Sequence, residues 1–115
     1  MENLKNTLIQ ITQKGMGLGD DELGLILLKN YLTLLAEESE MPRVIAFYNG
    51  GVQLICSGSP VIEQLKVLEE KGVRLLACKT CLKYFGLLDK METGIEGTMM
   101  DIVELQKVAG KVINL

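Results

Sequence analysis

Two cysteines three residues apart, Cys78 and Cys81, are the residues of this sequence best suited to chemistry. They follow the apolar run Val73 to Ala77, where a buried strand is expected to give way to a helix. Backbone N–H groups at a helix start, and the neighbouring Lys79, both favour a thiolate over a thiol. The spacing indicates thiol chemistry, with Cys78 as a nucleophile or sulfur carrier. Cys81 is a second thiol that resolves a disulfide, relays sulfur or only packs.

Histidine is absent from the sequence, which excludes Ser-His-Asp and Cys-His catalysis within one chain. A structural zinc ion needs four ligands, and only Cys78 and Cys81 are close in sequence, with Cys56 as a distant third. We therefore expect neither a metal ion nor a cofactor. Activation of a thiol must then come from electrostatics. Metal ligation and simple packing are the alternatives for Cys78, whereas Cys56 is expected to be a small buried hydrophobic residue.

The bulk composition restricts the class of protein. The chain has 115 residues, 48% of them hydrophobic, three cysteines and a net charge of -3. This length predicts one domain, residues 1–115, with its own core. Scattered Lys and Arg residues argue against a nucleic-acid partner. The start of the chain lacks the apolar segment of a secretory leader, and no apolar run reaches the roughly 18 residues of a membrane span. An odd number of cysteines without such a leader indicates the cytoplasm.

Strand-like and helix-like segments alternate along the chain. Strands are predicted at 7–12, 43–48, 73–77 and 111–115, and helices at 21–38, 61–71, 80–85 and 99–109. A short irregular or helical piece is expected at 52–56. This alternation predicts an α/β fold, a three-layer sandwich with four or five mostly parallel strands. The stretch 87–97 is the least regular; one short strand near Met91 is expected there, within a lid, an edge strand or an interface loop.

Three turns are expected at the carboxyl edge of this sheet, where parallel α/β proteins bind ligands. They are Gly15–Gly19, Asn49-Gly50-Gly51 and Cys78–Cys81. The first lacks the G-x-G-x-x-G spacing and is followed by three acidic residues, so it predicts a tight turn with an acidic N-cap rather than a phosphate site. Asn49-Gly50-Gly51 is either a turn that needs positive φ or a source of N–H groups directed at the thiols.

The first predicted helix carries more leucine and isoleucine than one core-facing stripe can bury. Part of its surface is therefore expected to lie in a subunit interface.

Several segments together resemble a known family: residues 17–29, Ile45 to Val52, Ser57-Gly58-Ser59 and residues 65–87. These are similar to the DsrE-like domain at the C-terminal end of YedF-type proteins of selenium or sulfur metabolism. The most specific segment is Cys78-Lys79-Thr80-Cys81-Leu82. YedF-type chains usually have glycine where this chain has Lys79, and they generally begin with a TusA-like domain that is not seen in this sequence.

The resemblance implies a flavodoxin-like DsrE fold that assembles into trimers or hexamers. In the sulfur-relay branch of this superfamily a cysteine at the end of the third strand carries sulfur as a persulfide, and Cys78 is the matching position. Donor and acceptor proteins for sulfur or selenium are the implied partners. Lys79, Thr80 and the Asn49–Gly51 backbone are then expected to hold the bound anion.

The sequence thus predicts a sulfurtransferase-like carrier in which Cys78 accepts the sulfur. A thiol–disulfide redox protein that uses Cys78 and Cys81 is the alternative. A module that only binds or assembles, with both cysteines packed, is a third possibility.

Overall fold

The structure, a computed structural model, describes residues 4–115. The first three residues, on which the expectation of no secretory leader partly rests, lie outside the described part. In chain order the strands are β1 Thr7–Ile11, β2 Val44–Phe47, β3 Arg74–Cys78, β4 Ile95–Gly97 and β5 Lys111–Asn114. The helices are α1 Asp21–Leu35, α2 Ile62–Glu70, α3 Lys79–Tyr84 and α4 Met99–Val108, with a 3-10 helix at Asn49–Ile55.

The five strands form one sheet in the order β4-β3-β2-β1-β5, and every neighbouring pair is parallel. Successive crossovers from β1 to β2 and β3 run in one direction across the sheet, so right-handed connections place α1 and α2 on the same face. The return from β4 to β5 runs the other way and places α4 on the opposite face. A side-chain hydrogen bond of 2.7 Å from Gln106 of α4 to Gln10 of β1 joins that helix to the sheet. The predicted α/β fold is confirmed.

The central strands are covered on both faces, which explains why their sequences lack polar alternation. All residues of β1 and β2 are buried, and so are four of the five residues of β3. Under α1 and α2 the core includes Leu28, Leu32 and Leu65, each fully buried. This core fixes the strand ends that carry the candidate site.

The starts of α1 and α4 are capped by side chains, whereas Val61 begins α2 without a side-chain hydrogen bond. Asp20 accepts the N–H of Leu23 at 2.8 Å, and Thr98 and Asp101 form a complete capping box. The end of α1 comes three residues earlier than the predicted Glu38, at Leu35. Acidic residues Glu37 and Glu38 disfavour further helix, because a helix C-terminus carries partial negative charge.

The segment 87–97 differs most from its predicted form. Met91 forms only an isolated antiparallel bridge with Cys56, and the strand of this segment is β4, farther along at Ile95–Gly97. Hydrophobic patterning missed β4 because an edge strand of three residues buries little; Ile95 and Glu96 are exposed. Glu69 of α2 accepts hydrogen bonds from Thr93 and the N–H of Gly94 and holds the segment against the domain.

Candidate thiol site at the carboxyl edge of the sheet

The carboxyl ends of β1, β2 and β3 lie side by side, and the turns that follow them meet there. Tyr48, just after β2, donates its N–H to the carbonyl of Ile11 at 3.2 Å. The next residue, Asn49, donates its N–H to the Cys81 sulfur at 3.1 Å. The predicted convergence of the three turns is thus observed for the Asn49 turn and the cysteine turn. Lys14, which precedes the Gly15–Gly19 turn, passes near the Asn49 turn, with its backbone N 3.8 Å from the position a Cβ would take on Gly50; contact of Gly15–Gly19 itself with the thiols is not observed in the described part of the chain.

Cys78 is both the last residue of β3 and the N-cap of α3. Its Sγ accepts the backbone N–H of Cys81 at 3.3 Å, as an N-cap oxygen usually does. The same sulfur accepts the Cys81 thiol at 2.8 Å. Two donors are therefore directed at one sulfur. Cys78 is only 1% exposed, so the sulfur that accepts both hydrogen bonds is covered.

Cys81, one helical turn later, is partly exposed and lies between Cys78 and Asn49. Burial raises the pKa of the Cys81 thiol, and its hydrogen bond to Cys78 raises that pKa further. The Asn49 N–H works against these effects and lowers it. The balance keeps Cys81 protonated beside Cys78, with Cys81 as the donor of the pair. Both cysteines are free thiols.

The Asn49-Gly50-Gly51 turn has the positive φ expected of it, but at Asn49 (φ 52) rather than at a glycine. Gly51 is required for another reason: a Cβ there would overlap the carbonyl oxygen of Ile11. Because Gly51 has no side chain, the 3-10 helix can start directly against the end of β1. This close approach directs the Asn49 N–H at the thiol pair, although at Cys81 and not at Cys78.

Lys79 and Thr80 form the exposed first turn of α3. The Lys79 ammonium lies 3.7 Å from the carboxylate of Glu96 on β4, in a salt bridge with both side chains about half exposed. Its positive charge is therefore paired with the Glu96 carboxylate. The sequence patterns did not indicate Glu96, because they predicted no strand at Ile95–Gly97. Binding roles for Lys79 and Thr80 stay predictions.

Cys56 lies at the far end of the 3-10 helix, away from Asn49. It is 1% exposed and donates its S–H to the Val52 carbonyl at 3.3 Å. Burial, and to a lesser degree Glu92, raises the pKa of this thiol. It borders a cavity of about 310 Å³ that Lys14 and Leu87 also line. The expectation of a small buried residue agrees with this placement.

A model of the DsrE/DsrF-like family matches residues 25–115, which run from within α1 to beyond β5 and include the whole thiol site. The chain belongs to the DsrE/DsrF-like family. This membership confirms the resemblance seen in the sequence and connects this DsrE/DsrF-like chain with sulfur relay. None of the curated proteins that were compared matches the chain.

Solved structures confirm the fold of this DsrE/DsrF-like chain. The protein of unknown function MTH1491 from Methanobacterium thermoautotrophicum superposes with a TM-score of 0.70 at 21% identity, over 98% of this chain and 100% of that one. The ychN protein from E. coli gives 0.69 at 23% identity, over 93% and 97%. The protein of unknown function BT1422 from Bacteroides thetaiotaomicron gives 0.70 at 15%, over 96% and 95%.

Within residues 4–115 no group of three or more Cys, Asp or Glu side chains is placed to hold a metal ion. No helix in that range is both long and apolar enough to cross a membrane.

Proposed function

We propose that this DsrE/DsrF-like protein is a sulfur-relay carrier that accepts a sulfane sulfur on Cys78 and passes it to an acceptor thiol. The observation that carries the proposal is the Cys78 sulfur itself, which ends β3 and accepts both the N–H and the S–H of Cys81. Hydrogen-bond donors at a helix start stabilise a thiolate once it forms, so this placement supports a nucleophile that needs no histidine base. Family membership supports the same chemistry.

In the loading step the Cys78 thiolate attacks the outer sulfur of a donor persulfide. The bond between the two donor sulfurs breaks, a new bond to Cys78 forms, and the donor leaves as a thiolate. Unloading repeats this exchange with an acceptor thiolate, so neither step consumes an oxidant or a reductant.

Loading requires movement of Cys81, because Cys78 is covered and its thiol contacts the Cys81 thiol. When the Cys81 side chain rotates away, the Asn49 N–H is released from its bond to Cys81. That N–H, with the Gly50 and Gly51 backbone beside it, then binds the anionic end of the persulfide. Lys79 and Thr80, exposed at the start of α3, supply the entrance for the donor.

The partners of this carrier are a donor and an acceptor protein for sulfur or selenium, and its compartment is the cytoplasm. We also propose a homo-oligomer, a trimer or hexamer, because α1 exposes apolar side chains after the core has formed: Leu23, Ile26, Leu27 and Leu34. Such a surface is typical of a protein interface.

The test is incubation with a persulfide-generating cysteine desulfurase, followed by the intact mass of the protein. We expect the Cys78→Ser variant to take up no sulfur, while the Cys56→Ser variant behaves as wild type. Serine is a good N-cap residue, so Cys78→Ser keeps the start of α3. Uptake of one sulfur by Cys78→Ser, or no uptake by any variant, contradicts the proposal.

The 2.8 Å contact between the two sulfurs also favours a second candidate, a thiol–disulfide redox protein. That function predicts reversible loss of two hydrogens with a disulfide reagent and no transferable sulfur. If both thiols resist alkylation in the folded protein and neither product forms, a binding or assembly module is favoured instead.

A further inference from the structure

The distance between the Cys78 and Cys81 sulfurs decides what Cys81 does to a loaded site. They lie 2.8 Å apart, whereas a disulfide bond requires about 2.05 Å, so the pair is within about 1 Å of bonding. Both residues belong to the same short segment where β3 ends and α3 begins, so the approach takes place between neighbouring side chains. When the Cys81 side chain returns to this position after loading, a persulfide on Cys78 therefore has a thiol next to its inner sulfur.

Attack on sulfur proceeds in line with the bond that breaks. Transfer of the outer sulfur from Cys78 to Cys81 would place that sulfur between the two side chains and separate them by at least about 4 Å, twice the length of a sulfur–sulfur bond. Attack of Cys81 on the inner sulfur, Cys78 Sγ, needs the side chains close together, as they are. The observed contact thus selects the inner sulfur.

We infer that Cys81 releases the carried sulfur from Cys78 as sulfide and leaves a Cys78–Cys81 disulfide. This inference rests on the proposed persulfide on Cys78. The bond between Cys78 Sγ and the outer sulfur breaks, and the bond between the two Sγ atoms forms. The outer sulfur leaves as hydrosulfide, reduced by two electrons, and the two cysteines are oxidised to the disulfide. The proton of the Cys81 thiol passes to the outer sulfur, so that Cys81 attacks as a thiolate and the anionic persulfide releases hydrosulfide.

A dithiol reductant must then restore the two thiols by ordinary thiol–disulfide exchange. The site accordingly takes its sulfur from a reaction that forms a persulfide and delivers sulfide to a reaction that consumes it. The donor first loads sulfur onto Cys78. When no acceptor is present, Cys81 then attacks Cys78 and the outer sulfur is released as sulfide. Transfer to an acceptor and release of sulfide both start from the same persulfide on Cys78.

The experiment loads the full chain with a persulfide-generating cysteine desulfurase, removes the donor, and measures free sulfide and intact mass without added reductant. Wild type and the Cys56→Ser control are expected to release one sulfide per chain. They should end with a disulfide that blocks alkylation of both cysteines until dithiothreitol is added. Cys81→Ser is expected to retain one sulfur on Cys78 and to release no sulfide above the desulfurase background.

Cys81→Ala serves as a second variant, because it removes the thiol without adding a hydroxyl beside Cys78. A stable sulfur adduct on wild type, with neither sulfide nor disulfide, overturns the release reaction and leaves the carrier intact. Equal sulfide release by wild type and both Cys81 variants also overturns it. If no variant, including Cys81→Ser, takes up sulfur or releases sulfide, the proposed carrier function fails and this inference fails with it.

Discussion

Cys81 lies across Cys78: their sulfurs are 2.8 Å apart, yet Cys78 is 1% exposed and Cys81 faces the Asn49 turn at the surface. The sulfur that accepts the hydrogen bond is thus the covered one, and the thiol that donates it is the side chain that covers it. Cys78 is the proposed nucleophile, whereas Cys81 is the thiol that a partner reaches first.

Removal of the Cys81 thiol should expose the Cys78 sulfur. We expect Cys81→Ala to increase the alkylation rate of Cys78 by iodoacetamide, since the methyl group fills less space than the thiol and leaves the Cys78 sulfur accessible. The rate is measured by peptide mass spectrometry in a Cys56→Ser background, so that only one cysteine remains. An unchanged or slower rate would show that other groups cover Cys78.

Alkaline pH should destabilise the folded protein through its buried thiols. Burial raises the pKa of Cys56 and of Cys81, and that of the Tyr31 phenol. A raised pKa means that the folded state holds its proton longer than the unfolded state does. The resulting stability is complete below the unfolded thiol value of about 8.5 and is lost as pH rises through the folded values.

Urea denaturation under reducing conditions, at a series of pH values from neutral to alkaline, measures this effect. We expect the free energy of unfolding to decrease with pH, and to decrease less in Cys56→Ser and in Cys81→Ser than in wild type. A loss of stability that is equally steep in the double variant would assign it to other groups, Tyr31 first among them.

Gly51 and Gly50 form a matched pair for testing the turn. A Cβ at residue 51 would overlap the Ile11 carbonyl, whereas at residue 50 its nearest neighbour is the Gln13 Cα at 3.6 Å, an ordinary contact. We expect Gly51→Ala to reduce stability by about 1–3 kcal/mol, the range for overpacking. Gly50→Ala should be neutral or slightly stabilising, because it restricts the unfolded chain.

Thermal or urea unfolding of the two variants provides the measurement. Since the 3-10 helix carries Asn49, Gly51→Ala should also weaken the bond from the Asn49 N–H to Cys81 and alter Cys81 alkylation. Equal stability of the two variants would mean that the chain has room at residue 51.

The sequence predicts the architecture well because strands and helices that bury continuous apolar faces leave a clear pattern. It places α2, α3 and α4 within one or two residues of their observed ends. The short edge strand β4 leaves no such pattern. Glu96 could not be recognised as the partner of Lys79 for that reason, since the salt bridge depends on where β4 pairs with β3.

The thiol pair itself is evident from spacing, but the division of roles is not. Whether Cys78 or Cys81 is covered depends on how α3 turns away from β3 and on the close approach of Gly51 to Ile11. Both are three-dimensional relationships between segments that are distant in sequence. Hence the sequence brings out the two thiols, whereas the hydrogen bonds of Asn49 and Cys81 follow only from the three-dimensional fold.

The exposed stripe of α1 gives the last prediction. Leu23, Leu27 and Leu34 follow helical spacing along one side of the helix and are 52%, 42% and 65% exposed. Charges on this stripe should dissociate the proposed oligomer, because an apolar interface excludes unpaired charge. We expect Leu27→Glu with Leu34→Glu to lower the mass measured by light scattering towards that of a single chain.

Lys29→Glu, an exposed position of the same helix away from the stripe, is the matched control and should leave the mass unchanged. Circular dichroism should show that both variants keep their helices, since none of the substituted side chains belongs to the core. Persulfide loading of the dissociated variant then shows whether sulfur uptake on Cys78 depends on the oligomer. If the wild-type chain is already monomeric, or the double variant keeps its full mass, the stripe is not a contact between copies of this chain.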